Sequence, residues 1–278
     1  ACNRRNLTLL ARCLSGLCLY YEMRVRYKEG EQACQRALSS LPAACAQESD
    51  GAVLCAWLLI WRANFLTLLG ELEAACTMRQ QAGELLDQLD KQGVDIRRPR
   101  AMYWQAEGEA QAELKSKLEC YRKGIDLYQA LGDSWRRAGM LVWAGEYAMR
   151  LGDPELALAS QQEALRLARQ LGEPGLLLHC MRQSTYLFFM TNQPEPALKL
   201  MQEAVAVCEN VAELPLRANA QVHLGNQLNH CGRSPEAIPI LEQSLPVLRG
   251  LGYRYGSVYG AQALGFAYVM SGEYARGK

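Results

Sequence analysis

Glycine returns to this chain at a fixed step. Gly30, Gly70, Gly152, Asn192, Gly232 and Gly272 form one series, with intervals of 40, 82, 40, 40 and 40 residues. The double interval leaves one turn near Gln111 without its glycine. The residues after each position recur as well: G-E-Q-A after the first, G-E-L-E-A-A, G-D-P-E-L-A, N-Q-P-E-P-A, G-R-S-P-E-A and G-E-Y-A after the others. A second series, Gly93, Gly132, Gly172 and Gly252, falls between them, with Val211-Ala212 in the missing place. A step of this size permits few folds. One repeat is a supersecondary unit too small to bury its apolar face, so it must stack on its neighbours.

The clearest copy runs from Arg217 to Gly252. Leu224 and Leu228 share one helix face, and Gly232 ends that helix. Ser234 reads as an N-cap with Pro235 at the first helical position. Ala237, Ile238, Leu241, Leu245 and Leu248 then continue at helical spacing, with Pro246 expected to kink the helix. Carried along the chain, the pattern predicts first helices over 4–28, 51–69, 99–112, 134–151, 174–191, 215–231 and 254–271. Second helices are expected over 31–47, 72–91, 115–131, 154–171, 195–210 and 235–250. No segment alternates with period two, so no sheet is expected. The fold class is therefore all-α, a superhelix of about 6.5 stacked helix pairs. Pro42–Asp50 and Gly93–Pro99 are its weakest joints, but the period crosses both, so residues 1–278 read as one domain. A start inside a helix and an end just after a turn lead us to expect a piece of a longer multidomain protein.

Composition narrows the function. The net charge is +1, which gives no electrostatic case for binding nucleic acid or an anionic membrane. Arg97-Arg98-Pro99-Arg100 is basic but reads as solvated surface. No apolar run of ~18 residues stands out as membrane-spanning. The segment from Arg4 to Tyr21 loosely imitates a signal peptide, but Arg12 interrupts it and it fits the repeat. The 11 cysteines show no CxxC pairing and fall on apolar helix faces, as small core residues would in a reducing cytoplasm; disulfides of a secreted protein are the alternative.

The helix pairs resemble the tetratricopeptide repeat, which implies that the superhelix is right-handed. That family's small residue in the first helix corresponds to Ala63, Gly145, Thr185, Gly225 and Gly265, and its alanine after the turn to Ala74, Ala157, Ala197 and Ala237. Its late proline is mostly missing, and the step exceeds the family's usual one, so both helices are longer. Long repeats ending in Leu131-Gly132-Asp133 or Leu171-Gly172-Glu173 are similar to the repeat arms of bacterial STAND-type signalling ATPases, including the MalT-like and LuxR-tailed activators.

The resemblance implies an inner wall built from first helices at positions flanking the small residue. These are Trp57, Trp61 and Asn64; Trp143 and Glu146; His179, Gln183 and Tyr186; Asn219, His223 and Asn226; and Tyr259, Ala263 and Phe266, with Arg182 bordering the line. Aromatic bodies offer apolar contact area, and asparagine amides can hold an extended backbone or a small polar ligand. Asn226 stands where peptide-clamping repeats carry a gripping asparagine, without the basic residues that complete such a clamp. The tryptophans also fit a core packed between long helices.

Catalytic signals are weak by comparison. Gly272 to Lys278 has phosphate-loop spacing, but a helix precedes it and no Ser or Thr follows. His223 and His230 stand two helical turns apart, too far for one metal ion. No nucleophile–base pair and no cofactor site is evident. The expected function is a non-catalytic arm of a cytoplasmic signalling or transcriptional regulator. Its inner face would hold a protein or peptide segment or a small inducer, with no contact to nucleic acid or membrane. A constitutive scaffold or homo-oligomerisation arm is the alternative.

Overall fold

The computed structural model describes residues 13–14, 16–22, 26–41, 48–209 and 214–276. Left-handed backbone punctuates them at the expected places. Gly70, Gly152, Gly232 and Gly272 have φ of 84, 81, 71 and 80°, and Gly93, Gly132, Gly172 and Gly252 have 72, 66, 64 and 69°. An L-residue with a Cβ is strained there, which is why glycine recurs. Asn192, at φ 52°, takes the place in the fifth turn, since asparagine tolerates this region better than other side chains.

Residues 16–22 are helical, and after them come α1 Tyr27–Ser40, α2 Ser49–Leu69, α3 Leu72–Lys91, α4 Arg97–Ala110, α5 Leu114–Ala130, α6 Ser134–Arg150, α7 Pro154–Leu171, α8 Pro174–Met190, α9 Pro194–Glu209, α10 Leu214–His230, α11 Ser234–Gly250 and α12 Arg254–Met270. Each packs on its sequence neighbour within a pair, and first helices also pack side by side: α2 on α4, α6 on α8, α8 on α10, α10 on α12. No strand occurs among the described residues. The architecture is an all-α, tetratricopeptide-like solenoid. The chain forms two compact units, Ala1–Asp133 and Ser134–Lys278.

Two local expectations change. Gly30 is not a turn residue; it lies buried inside α1. A Cβ there would stand 2.5 Å from the Phe65 ring, so the glycine serves close helix approach instead of a reversal. The first break falls earlier, before Tyr27, where Arg26 is non-helical. The predicted helix over residues 4–28 is therefore interrupted, and residues 1–12 and 42–47 lie outside the described ones, as do Val211-Ala212 and Gly277-Lys278. Second, Ser234 caps nothing. It is the first helical residue of α11, buried, and its hydroxyl has no hydrogen-bond partner among the described residues, while Arg233 holds the cap position without a side-chain bond. Pro246 and Pro239 both lie within α11, whose helical run continues through them.

Caps elsewhere follow their chemistry. Asp153 accepts from the Leu156 amide at 3.0 Å, ahead of Pro154. Glu173 accepts from the Gly175 and Leu176 amides at 2.8 and 2.6 Å, ahead of Pro174. Each satisfies orphan donors at a helix start and sets a carboxylate against the positive end of the helix dipole.

In the first unit, Leu54, Leu58, Ile60, Trp61, Phe65, Leu86 and Met102 form one core cluster. Helix α2 is 21 residues long and apolar on all sides, long and apolar enough to cross a bilayer, contrary to the reading of the sequence. Its place explains its composition: α1, α3 and α4 pack around it, and its one mid-helix charge, Arg62, pairs with Glu31 at 2.7 Å. In the second unit Leu198, Val222, Leu228, Ala237, Leu241, Leu248, Ala263 and Ala267 cluster. Burying a leucine of this kind stabilises by about 1.5–3 kcal/mol. Gly225 lets α10 approach α11, since a Cβ would meet Leu241 Cγ at 2.6 Å.

The nine described cysteines are free thiols. Cys18, Cys34, Cys120, Cys180 and Cys208 are buried as expected, whereas Cys13 and Cys76 are exposed and so are not core residues.

Candidate functional site

In the second unit the first helices α6, α8, α10 and α12 stand side by side, and the 40-residue step puts equivalent positions in rows across them. One face of α10 carries Asn219, His223, Asn226 and His230, at helical intervals of four, three and four. On α8 the corresponding line is His179, Arg182, Tyr186 and Phe189; on α6 it includes Trp143, Glu146 and Arg150.

These side chains meet. The Trp143 ring lies 6.5 Å from Tyr147 and 6.3 Å from His179, centroid to centroid. An Arg182 Nη2 stands 3.3 Å from His179 Nδ1. His223 is 3% exposed and packs its ring 4.7 Å from that of Tyr259. The Asn226 amide donates to the Tyr259 hydroxyl at 2.7 Å and stands 3.2 Å from His230 Nε2. His230 in turn lies 5.2 Å from the exposed Phe189 ring.

Two buried polar atoms on the α10 line have no hydrogen-bond partner among the described residues: Asn219 Oδ1 and His223 Nε2. A buried polar atom left unpaired costs about 1–3 kcal/mol, so such atoms are rare away from working surfaces. Burial, reinforced by the Arg182 charge, lowers His223 to about 3 and His179 to about 4. Both rings are therefore neutral at pH 7. Burial lifts the Glu146 carboxyl above its ordinary value, while Arg150 and Arg182 pull it down. Arg150 approaches Glu146 at 3.8 Å; Arg182 forms no ion pair among the described residues.

The structure thus brings together Trp143, Glu146, Arg182, Tyr186, His223, Asn226 and Tyr259 on neighbouring first helices of one unit. It does not do so for the candidates of the first unit. Trp61 is 2% exposed and stacks on Phe65 at 5.8 Å, so it is core. The cause is the apolar surround of α2, which has no free inner stripe. Trp57 is half-buried against that core and donates its indole N–H to Met102 Sδ at 3.1 Å. Asn64 is half-exposed on the same helix. Two further expectations shift in the second unit. His223 is buried, not exposed, because the Tyr259 ring covers it. Ala263 is also buried, under the Asn229 amide, which donates to its carbonyl at 2.9 Å. The reading of the sequence left out His230 and Phe189 as wall residues; their one signal was spacing, each a helical step beyond Asn226 and Tyr186. No group of three metal-ligating side chains exists among the described residues.

Comparison with known proteins agrees on the architecture. Residues 136–210 match the tetratricopeptide repeat family. Among solved structures, a Rap protein complexed with Competence and Sporulation Factor superposes with a TM-score of 0.68 at 12% identity, over 99% of this chain and 74% of that one. The apo form of RapI gives 0.68 at 13%, over 96% and 73%. A STAND protein with a tetratricopeptide repeat sensor from Pyrococcus horikoshii gives 0.66 at 13%, over 99% of this chain and 41% of that one. No curated protein matches the sequence. Residues 136–210 are thus similar to the tetratricopeptide repeat, within a chain whose fold is an all-α, tetratricopeptide-like solenoid.

Proposed function

We propose that the first-helix wall of the second unit binds an extended peptide or protein segment, and that the chain does no chemistry of its own. The observation that carries this is the α10 line. Asn219 and Asn226, seven residues apart on one face of α10, are half-buried amides beside the half-buried Tyr259, whose hydroxyl accepts from Asn226 at 2.7 Å. An extended backbone offers donors and acceptors at a regular spacing, and it can satisfy several such groups at once. Half-buried Trp143, Tyr186 and Tyr259 flank the line with apolar area for side chains. The structural neighbour solved with Competence and Sporulation Factor supports the reading by analogy of fold.

The host protein is proposed to be a cytoplasmic signalling or transcriptional regulator of the STAND type, in which the bound segment selects one of two repeat arrangements. Analogy of fold to the Pyrococcus horikoshii STAND protein supports this context.

The test is retention of the full chain on an acetylated, amidated random hexapeptide mixture. Tyr186→Ala with Asn226→Ala is expected to lower retention by about tenfold while moving the melting temperature little, as loss of two contacts implies. A large fall in melting temperature with retention intact would refute the reading. A second reading has its own observation. Phe189, Met190, Phe266 and Met270 are 59, 50, 48 and 60% exposed at the ends of first helices, which favours assembly through that edge. Light scattering over a concentration series decides it: a monomeric mass throughout excludes assembly.

A further inference from the structure

We propose that Arg182 is a specificity residue that receives the carboxylate of an internal aspartate or glutamate side chain in the bound segment. This rests on the peptide-binding reading above and names what the segment must carry.

Arg182 lies mid-wall on α8, with α6 on one side and α10 on the other. Its neighbours are unusual for a half-buried cation. Its one polar contact among the described residues is His179 Nδ1, at 3.3 Å. Neutral histidines, His179 and His223, stand where counter-ions would be expected. Glu146 on α6 feels its charge but lies against Arg150, at 3.8 Å. Arg182 itself makes no ion pair among the described residues and is half-buried, so its guanidinium stands partly desolvated without a paired carboxylate. A guanidinium presents a planar fork of donors that matches a carboxylate, and charge-assisted bonds of this kind are about twice as strong as neutral ones.

Position argues for a side chain over a chain end. The polar and aromatic surface continues on both sides of Arg182: Trp143 on α6, and Asn219, Asn226 and Tyr259 on α10 and α12. A segment that reaches both sides must pass Arg182, so the group placed there belongs to an internal residue. The half-buried Asn219 and Asn226 amides on α10 then meet its main chain. Glu146 competes with the incoming carboxylate, which makes the site selective against weakly charged ligands.

The experiment compares three hexapeptide mixtures on the full chain. One is acetylated and amidated with a fixed aspartate or glutamate; the second is identical with asparagine or glutamine there; the third has no acidic side chain but a free C-terminal carboxylate. The acidic mixture is expected to bind about tenfold or more tighter than its amide counterpart, as hydrogen bonds to charged groups imply. Arg182→Gln abolishes that preference, while exposed Arg166→Gln on α7 leaves both the preference and amide-mixture binding as they are. Glu146→Gln removes the competitor and strengthens acidic binding, which tests the site independently should Arg182→Gln misfold. Equal binding of acidic and amide mixtures overturns the assignment alone, as does a preference that survives Arg182→Gln. Tightest binding of the third mixture overturns the internal side chain in favour of end capture. No binding of any mixture overturns this assignment together with the peptide-binding reading.

Discussion

At the scale of single residues, glycine does two different jobs here, and they predict opposite responses. Gly225 sits where a Cβ would meet Leu241 Cγ at 2.6 Å, and the leucine is fully buried. Gly225→Ala is expected to destabilise by about 1–3 kcal/mol, the usual cost of overpacking. Gly139, inside α6, has nothing within 4 Å of its absent Cβ. Gly139→Ala is expected to stabilise by about 0.5–1 kcal/mol, because alanine loses less backbone freedom in a helix. Urea unfolding of both variants checks the pair. If both shift the same way, close helix approach is not what keeps Gly225. The wall histidines give a second residue-level expectation. His223 has its proton affinity lowered to about 3 by burial and then by Arg182, against an unfolded value of 6.5. Between those values the unfolded chain holds more protons, so stability is complete above pH 6.5 and is lost as pH falls. The loss approaches about 1.4 kcal/mol per pH unit for one such group. Glu146, raised by burial, acts in the opposite direction and is common to both proteins compared. Stability of the parent and of His223→Gln, measured from pH 7 to pH 5, therefore diverges: the variant shows the shallower slope. Parallel slopes would mean that His223 is open to solvent.

At the scale of elements, helix ends were legible in the sequence and helix faces only in part. Ends are written in chemistry that tolerates few substitutes. Glycine at φ near 70° recurs, so the 40-residue step located nearly every turn. Gly30 misled because the same residue also permits close approach, and a sequence does not say which use applies. Ser234 misled because its neighbours bury it one position into α11. Faces depend on what surrounds a helix. The pattern of α2 has no polar stripe, so its tryptophans suited groove and core alike; the packing of α1, α3 and α4 puts Trp61 in the core and leaves Trp57 half-buried against it. In the second unit the rows were legible because the repeat itself aligns Trp143, Tyr186, Asn226 and Tyr259 near one line. That the Tyr259 ring would cover His223 depends on side-chain geometry between repeats, which periodicity does not encode. Cap chemistry yields a prediction at this scale. Glu173 satisfies two amides at the start of α8, the helix that carries Arg182 and Tyr186. Glu173→Ala is expected to cost about 0.5–2 kcal/mol. Thermal unfolding followed by circular dichroism measures it, and Glu173→Gln, which keeps an acceptor, is expected to recover part. No loss in the alanine variant would show that solvent caps α8 equally well.

At the scale of the molecule, the candidate wall belongs to one unit. Every side chain that meets there, from Trp143 on α6 to Tyr259 on α12, lies within Ser134–Lys278, which also holds its own core of Leu198, Val222, Leu228, Leu241 and Leu248. Buried polar ties support the same helices. Gln161 donates to the Val142 carbonyl at 3.2 Å and accepts from Ser184 at 3.0 Å, joining α6, α7 and α8. Asn229 ties α10 to α12 through the Ala263 carbonyl. In a solenoid, stability is close to a sum of repeat terms and nearest-neighbour terms, so a block of adjacent repeats with intact internal contacts keeps most of its own. Residues 134–278 expressed alone are therefore expected to unfold cooperatively on heating. They should also hold the acidic hexapeptide mixture within about threefold of the full chain, a difference of roughly 0.65 kcal/mol. The complementary piece, residues 1–133, is expected to hold none, since Trp61 is core and the half-buried Trp57 spends its indole N–H on Met102. Retention of the mixture by residues 1–133, or a broad non-cooperative melt of residues 134–278, would place the binding surface elsewhere or make it depend on both units.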